Sequence, residues 1–233
     1  MKKIDVCFSP DLIHQYDIND RCVVVIDVLR ATSCMVAGLG SGVQSITPVA
    51  TVEECEALGK QGFIMAGERG GEKLPQFDLG NSPFEYMEAQ FKGKRIATTT
   101  TNGTKCIDLA KDAPEVIIGA FLNLKAIVTH LKNQSRDVLL FCAAWKGKFN
   151  LEDSLFAGAV CDGLKNDYEM ESDAAISAFH VYKTMSNDIE YYVSRSNHAS
   201  RLSKFKVVKD ISYCSKTDEF DVIPKLKEGL LTL

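Results

Sequence analysis

Four threonines run into Asn-Gly-Thr at Thr98-Thr99-Thr100-Thr101-Asn102-Gly103-Thr104, where a short apolar strand leads into a helix. Threonine hydroxyls donate to oxyanions, and Gly103 lets a backbone approach closely. The free N–H groups of the first helical turn add partial positive charge. The segment therefore suits an anion such as phosphate. The alternative is a Thr-rich strand end with an ordinary N-cap.

Three other segments of similar character favour the first reading. Asp27-Val28-Leu29-Arg30-Ala31-Thr32-Ser33 follows an apolar run and offers a carboxylate, a guanidinium and two hydroxyls at a helix entry. Asp27 suits a divalent metal and Arg30 can fork onto an anion. The structural alternative pairs Asp27 with Arg30 and caps the helix with Thr32 or Ser33. Gly67-Glu68-Arg69-Gly70-Gly71-Glu72 brings three glycines around a carboxylate and a guanidinium, as a ligand-gripping loop does, although a solvated loop has the same composition. It leads to Asn81-Ser82-Pro83, where Ser82 is a ready N-cap with proline at the first helical position. Glu152 and Asp153 open a further helix after Ala143-Ala144-Trp145-Lys146-Gly147-Lys148. There they gain from the macrodipole, or one of them joins Asp27 as a hard oxygen ligand for a divalent metal. Lys146 and Lys148 can help hold an anion. His198, among Ser196, Asn197, Ser200 and Arg201, sits in a set able to bind an anion or to cap helices, whereas His14, His130 and His180 lie outside any such cluster.

These segments share a position. Apolar, β-branched runs at Ile4-Phe8, Cys22-Val28, Ser45-Val49, Phe63-Ala66, Arg95-Thr99, Val116-Ile118 and Val138-Cys142 alternate with helical-period stretches near Ser33-Leu39, Val52-Gln61, Pro83-Phe91, Gly103-Lys111, Leu124-Lys132 and Glu152-Leu164. Val23-Val24-Val25-Ile26 is apolar on both faces, so the sheet needs cover on both sides. The expectation is an α/β fold, a three-layer α/β/α sandwich with a largely parallel, mixed central sheet in one domain over residues 1–233. Helices are expected at Ala174-Met185 and Ile189-Leu202, and short strands at Val207-Val208 and Ile211-Tyr213. In open parallel sheets ligands bind beyond the carboxyl ends of the strands, which is where the polar segments fall.

Composition narrows the function classes. The chain has 233 residues, 45% hydrophobic and 25% charged, with a net charge of -4, which argues against a phosphate-backbone tracker and for a small-molecule partner. No apolar run approaches the roughly 18 residues of a membrane helix and no signal peptide is visible, so a cytoplasmic protein is expected, with self-association as a homo-oligomer left open. Eight cysteines without a C-x-x-C pair read as buried free thiols.

Familiar phosphatase signatures are missing. Asp27 is followed by Val28-Leu29, not by a second aspartate two positions on, and Cys142 has Lys148 where a cysteine phosphatase needs arginine. There is no G-x-x-x-x-G-K-[ST] loop, and Gly38-x-Gly40-x-Gly42 follows a helix and reads as its C-terminal turn.

The chain nevertheless resembles the 2-phosphosulfolactate phosphatases in Asp27-Val28-Leu29-Arg30-Ala31-Thr32-Ser33, Gly67-Glu68-Arg69, Leu79-Gly80-Asn81-Ser82-Pro83, Thr99-Thr100-Thr101-Asn102-Gly103-Thr104 and Glu152-Asp153 with Ala157-Gly158. Ser196-Asn197-His198-Ala199-Ser200-Arg201-Leu202 and Val222-Ile223-Pro224 resemble its later segments, with Ala199 where a glycine is expected. The resemblance implies a Mg²⁺-dependent hydrolase converting (R)-2-phospho-3-sulfolactate to (R)-3-sulfolactate and phosphate, a reaction of coenzyme M synthesis in methanogens and of sulfolactate metabolism in bacteria. On this reading Asp27, Arg30, Glu152 and Asp153 are catalytic, and the metal lies among Asp27, Glu68, Glu152 and Asp153. Thr32, Ser33, Arg69, Asn81, Ser82, Thr99 to Thr104, His198 and Arg201 bind substrate. A different small phosphorylated acid, or anion binding without turnover, are the competing expectations.

Overall fold

Valine-rich runs need apolar cover on both faces, and the computed structural model, which describes residues 1–205 and 208–233, provides it. The first half of the chain forms β1 (Lys2–Cys7), β2 (Arg21–Ile26), α1 (Ala31–Gly40), β3 (Ser45–Pro48), α2 (Val52–Gly59), β4 (Ile64–Arg69), β5 (Glu72–Lys73), α3 (Pro83–Tyr86), β6 (Arg95–Thr99) and α4 (Gly103–Ala110). The second half forms β7 (Glu115–Gly119), α5 (Leu124–Asn133), β8 (Asp137–Cys142), α6 (Leu151–Leu164), β9 (Tyr168–Met170), α7 (Asp173–Met185), α8 (Ile189–Ser194), α9 (Asn197–Leu202), α10 (Val208–Cys214), β10 (Lys225–Lys227) and β11 (Leu230–Thr232).

The strands make one mixed sheet in the order β5-β4-β6-β3-β11-β10-β7-β2-β8-β1-β9. β4, β6 and β3 form one parallel block, and β7, β2, β8, β1 and β9 another. The β10–β11 hairpin joins the blocks through antiparallel contacts, Lys225 on Ile117 and Leu231 on Ile46.

Strand alternation assigns the two layers of cover. Cys22, Val24 and Ile26 pack with Ile127, Phe156 and Val160 beneath α5 and α6, while Val23 and Val25 pack with Met35, Leu39 and Ile107 beneath α1 and α4. Burying each such side chain contributes roughly 1.5–3 kcal/mol. An exposed pair such as Lys111–Asp108, screened by water, contributes little, so the two apolar layers dominate the stability.

The sequence expectation and the fold differ in four places. The stretch Ile211-Tyr213, expected as a strand, is the body of α10, because its apolar residues Ile211 and Cys214 fall three apart on one buried helical face. The other expected strand, Val207-Val208, includes Val207, which lies outside the described residues. The single helix expected over Ile189-Leu202 breaks at Arg195, where Ser196 caps α9 by accepting the Ala199 N–H at 3.0 Å. Pro83-Phe91 is a four-residue helix followed by a 3-10 turn at Ala89–Phe91. Gly67-Glu68-Arg69 is not loop but the end of β4, which turns into β5 through Gly70 and Gly71, both at positive φ (66° and 100°) as a tight two-residue hairpin requires.

Candidate active site at the strand ends

Asp27 follows β2 directly. Its backbone N–H donates to Thr32 Oγ1 at 3.0 Å, and its carbonyl accepts the Thr32 N–H at 3.0 Å, which closes the turn into α1. Ser33 Oγ donates to the Val28 carbonyl at 2.8 Å. The hydroxyls of Thr32 and Ser33 are thereby committed to shaping the turn, and neither caps the helix, whose N-cap is Arg30. What the turn presents is the Asp27 carboxylate. A Cβ on Gly103 would lie 2.8 Å from Asp27 Oδ2 and 2.6 Å from the Ala31 Cβ, so only glycine lets the N-terminus of α4 approach this carboxylate.

Two more carboxylates converge on it. Glu68 reaches across from β4, with Oε1 accepting the Thr101 N–H at 2.7 Å and Oε2 the Gly71 N–H at 2.6 Å. Glu152, fully buried at the start of α6, lies 2.6 Å through Oε1 from His198 Nδ1, and its Oε2 is buried with no partner among the described residues. Burial pushes the Asp27 carboxyl up to about 6; nearby His198 opposes the shift, while Glu68 and Glu152 add to it.

Asp153 works differently from its neighbour. Its Oδ1 accepts the Val28 N–H at 2.9 Å and its Oδ2 the Ala144 N–H at 3.2 Å, pinning the ends of β2 and β8 together. Burial, with Glu152 and Asp27 close by, raises its pKa well above the usual range, and the two N–H donors pull against that rise.

Arg30 is buried and is held by a partner that the sequence reading did not identify. Its Nη1 lies 2.5 Å from Asp210 Oδ2 on α10, and its Nη2 donates to the Gly71 carbonyl at 3.2 Å. Asp210 Oδ1 accepts from Ser82 Oγ at 2.9 Å, so Ser82 starts α3 ahead of Pro83 without capping it by its side chain. A helical reading of 208–214 would have placed Asp210 on the same buried face as Cys214 and flagged it as a polar residue needing a partner.

The threonine segment uses most of its hydroxyls internally. Thr100 and Thr104 bond reciprocally: the Thr104 N–H donates to Thr100 Oγ1 at 3.2 Å, and the Thr100 N–H to Thr104 Oγ1 at 3.3 Å. Thr101 Oγ1 accepts the Gly70 N–H at 3.3 Å. Thr99 Oγ1 takes Arg69 Nη2 at 2.9 Å, because alternation along β4 turns Arg69 to the face opposite Glu68. The N–H groups of Asn102 and Gly103 have no protein partner among the described residues.

The convergence lines a narrow, partly open cavity bordered by Asp27, Arg30, Glu68, Asn81, Asn102 and His198, with Trp145 as a further wall. Asn81 Oδ1 is buried there without a partner. Arg201 lies outside this cavity, stacked on Trp145 with its guanidinium 4.7 Å from the ring centroid. Thus the structure brings Asp27, Arg30, Glu68, Glu152, Asn81, Asn102, Gly103 and His198 together, and it turns the side chains of Thr32, Ser33, Arg69, Ser82, Thr99, Thr100, Thr101 and Thr104 to scaffold contacts.

Asp27, Glu68 and Glu152 are buried hard oxygen donors of the kind Mg²⁺ takes, one with an unpartnered oxygen, but their ligand atoms do not all lie within 4.8 Å of one another. A second cluster, Cys22, Glu115 and His130, lies at the opposite end of β2, but there Glu115 Oε1 already accepts from Lys225 Nζ at 2.8 Å and lies 3.1 Å from His130 Nε2. All eight cysteines are free and buried. Among the described residues no helix is long and apolar enough to cross a membrane.

Comparison with known proteins gives a consistent result. The model of the 2-phosphosulpholactate phosphatase family matches residues 7–229. A Thermotoga petrophila protein named probable 2-phosphosulfolactate phosphatase is 43% identical over 214 residues, covering 91% of this chain and 92% of the relative. Proteins with the same name from Caldanaerobacter subterraneus (39% over 224 residues; 94% and 93% covered) and Clostridium acetobutylicum (37% over 235 residues; 97% and 98% covered) are similar along their length.

Proposed function

The chain belongs to the 2-phosphosulfolactate phosphatase family, and from that premise we propose that it hydrolyses (R)-2-phospho-3-sulfolactate to (R)-3-sulfolactate and phosphate, with Mg²⁺ as its cofactor. The observation that carries this reading is the cavity lined by Asp27, Glu68 and His198, with Glu152 joined to it through His198 Nδ1 and keeping Oε2 unpartnered among the described residues. Asp27, Glu152 and Glu68 would hold the cation. Asp153, with both oxygens on backbone N–H groups, fixes the corner that aims them. The cation would neutralise charge on the phosphoryl group, which otherwise meets a ring of carboxylates.

The protein groups supply the rest. Phosphoryl transfer depends mainly on positioning and electrostatics. Arg30, locked by Asp210 and the Gly71 carbonyl, presents a buried fixed charge to the phosphoryl oxygens, and the free Asn102 and Gly103 N–H groups add donors beside it. Water attacks phosphorus as the ester P–O bond breaks, and the departing alkoxide must gain a proton. His198 lines the cavity with Nδ1 engaged by Glu152, which leaves Nε2 to hold that proton. A cytoplasmic location accords with eight free thiols.

The test is phosphate release from racemic phosphosulfolactate, 2-phospholactate and phosphoglycolate, each with Mg²⁺ and with EDTA. Mg²⁺-dependent release favouring the sulfonated compound is expected. Folded protein that releases phosphate from none of them would refute the assignment.

A further inference from the structure

A second and wider cavity adjoins the first at Trp145 and His198, which line both spaces. Its chemistry differs from that of the first. Three cations line it, Lys148, Arg195 and Arg201, and its one carboxylate, Glu152, is engaged through Oε1 with His198.

Arg201 is the informative group. Its Nε and Nη2 atoms are buried and have no hydrogen-bond partner among the described residues. A guanidinium cannot shed its charge near neutral pH, so it cannot relieve burial as a lysine does. Buried unpaired donors are costly and are rarely retained without a partner. The Trp145 ring, 4.7 Å from the guanidinium carbon, covers its flat face and fixes the plane, which leaves the donor edge as the part able to take a ligand. A planar fork with two open N–H donors matches a tetrahedral oxyanion with paired oxygens.

The ligand that meets these terms must be an anion that needs no metal and undergoes no reaction. Resting on the function proposed above, we propose that this cavity is the subsite for the sulfonate of the substrate, with Arg201 as the residue that separates sulfonated from unsulfonated phospho-acids. The phosphoryl group goes to the carboxylate-lined cavity because it can be neutralised there by a cation. The sulfonate, two bonds further along the carbon skeleton and inert, goes to the side where Lys148, Arg195 and Arg201 outnumber the single carboxylate of Glu152. The shared wall of Trp145 and His198 places the two sites within reach of one small molecule.

The experiment compares kcat/KM for phosphosulfolactate and for 2-phospholactate, which lacks only the sulfonate, on wild type, Arg201→Lys, Arg201→Gln and Lys148→Met. The ratio between the two substrates is expected to fall about tenfold or more in the Arg201 variants, mainly through KM, and less in Lys148→Met. Because both substrates are read on the same preparation, partial misfolding cancels from the ratio. Wild-type turnover with a ratio unmoved in every variant would overturn the subsite alone. Failure of the wild type to release phosphate from either compound would refute the assigned function and the subsite together.

Discussion

The threonine segment, whose Asn102 lines the cavity beside Asp27, and the corner at Glu152, which adjoins that cavity through His198, treat their polar atoms in opposite ways. In the first, Thr99, Thr100, Thr101 and Thr104 spend their hydroxyls on Arg69, on Gly70 and on each other, so the segment is a well-satisfied helix entry. In the second, Glu152 keeps an oxygen without a partner in a fully buried site, and Asp27 sits nearby with its carboxyl pushed up to about 6. A residue type compatible with ligand binding says little by itself. A buried polar atom that the fold leaves unsatisfied says much more, since the fold bears its cost without return until a ligand arrives.

The largest effect that separates the two regions is expected from Asp27→Asn. Turnover should fall at least about a thousandfold, since on the proposed reading the replaced group would both hold the cation and face the reacting phosphoryl group. The melting temperature should stay level or rise, because removing a buried carboxylate relieves its desolvation. Phosphate release and a thermal melt on the same sample check both halves.

A pH comparison sharpens this. A carboxyl whose folded pKa is raised binds its proton in the native state first, so ionised Asp27 destabilises the metal-free protein fully above about pH 6. The cost fades as pH falls from 6 toward the unfolded value near 3.9. The stability gap between Asp27→Asn and metal-free wild type is therefore expected to be wide at about pH 7.5 and narrow only near pH 4, as read by melts in EDTA. A gap that widens on acidification would contradict the assigned cause.

The threonine region predicts the smaller, complementary outcome. Thr104→Val removes the bonds of the Thr104 hydroxyl to the Thr100 N–H and carbonyl and should cost about 1 kcal/mol, a melting shift of roughly 2–4 °C for a chain of this length. Turnover per folded molecule should change only a few-fold, because no hydroxyl there is free for substrate. A rate loss matching that of Asp27→Asn would erase the distinction between the regions.

The parallel blocks were legible because hydrophobic runs such as Val23-Val24-Val25-Ile26 have no other way to be covered. The β10–β11 hairpin was not: each strand is three residues long, too short for period-two alternation to register, and only Leu231 of β11 is buried to mark it. Within the site, Asp27, Glu68 and Glu152 were readable from their places after apolar runs. The partners of the polar residues were not readable. Arg30 pairs with Asp210 across 180 positions, and Arg69 faces away from Glu68 because one residue of strand separates them.

The most direct test is a calorimetric titration of Mg²⁺ into metal-free wild type and into Asp27→Asn at pH 7.5. One saturable site in the wild type, lost or greatly weakened in the variant, is the predicted result. Equal binding by the two proteins, or none by a folded wild type, would contradict the claim that the buried carboxylates exist to hold a cation.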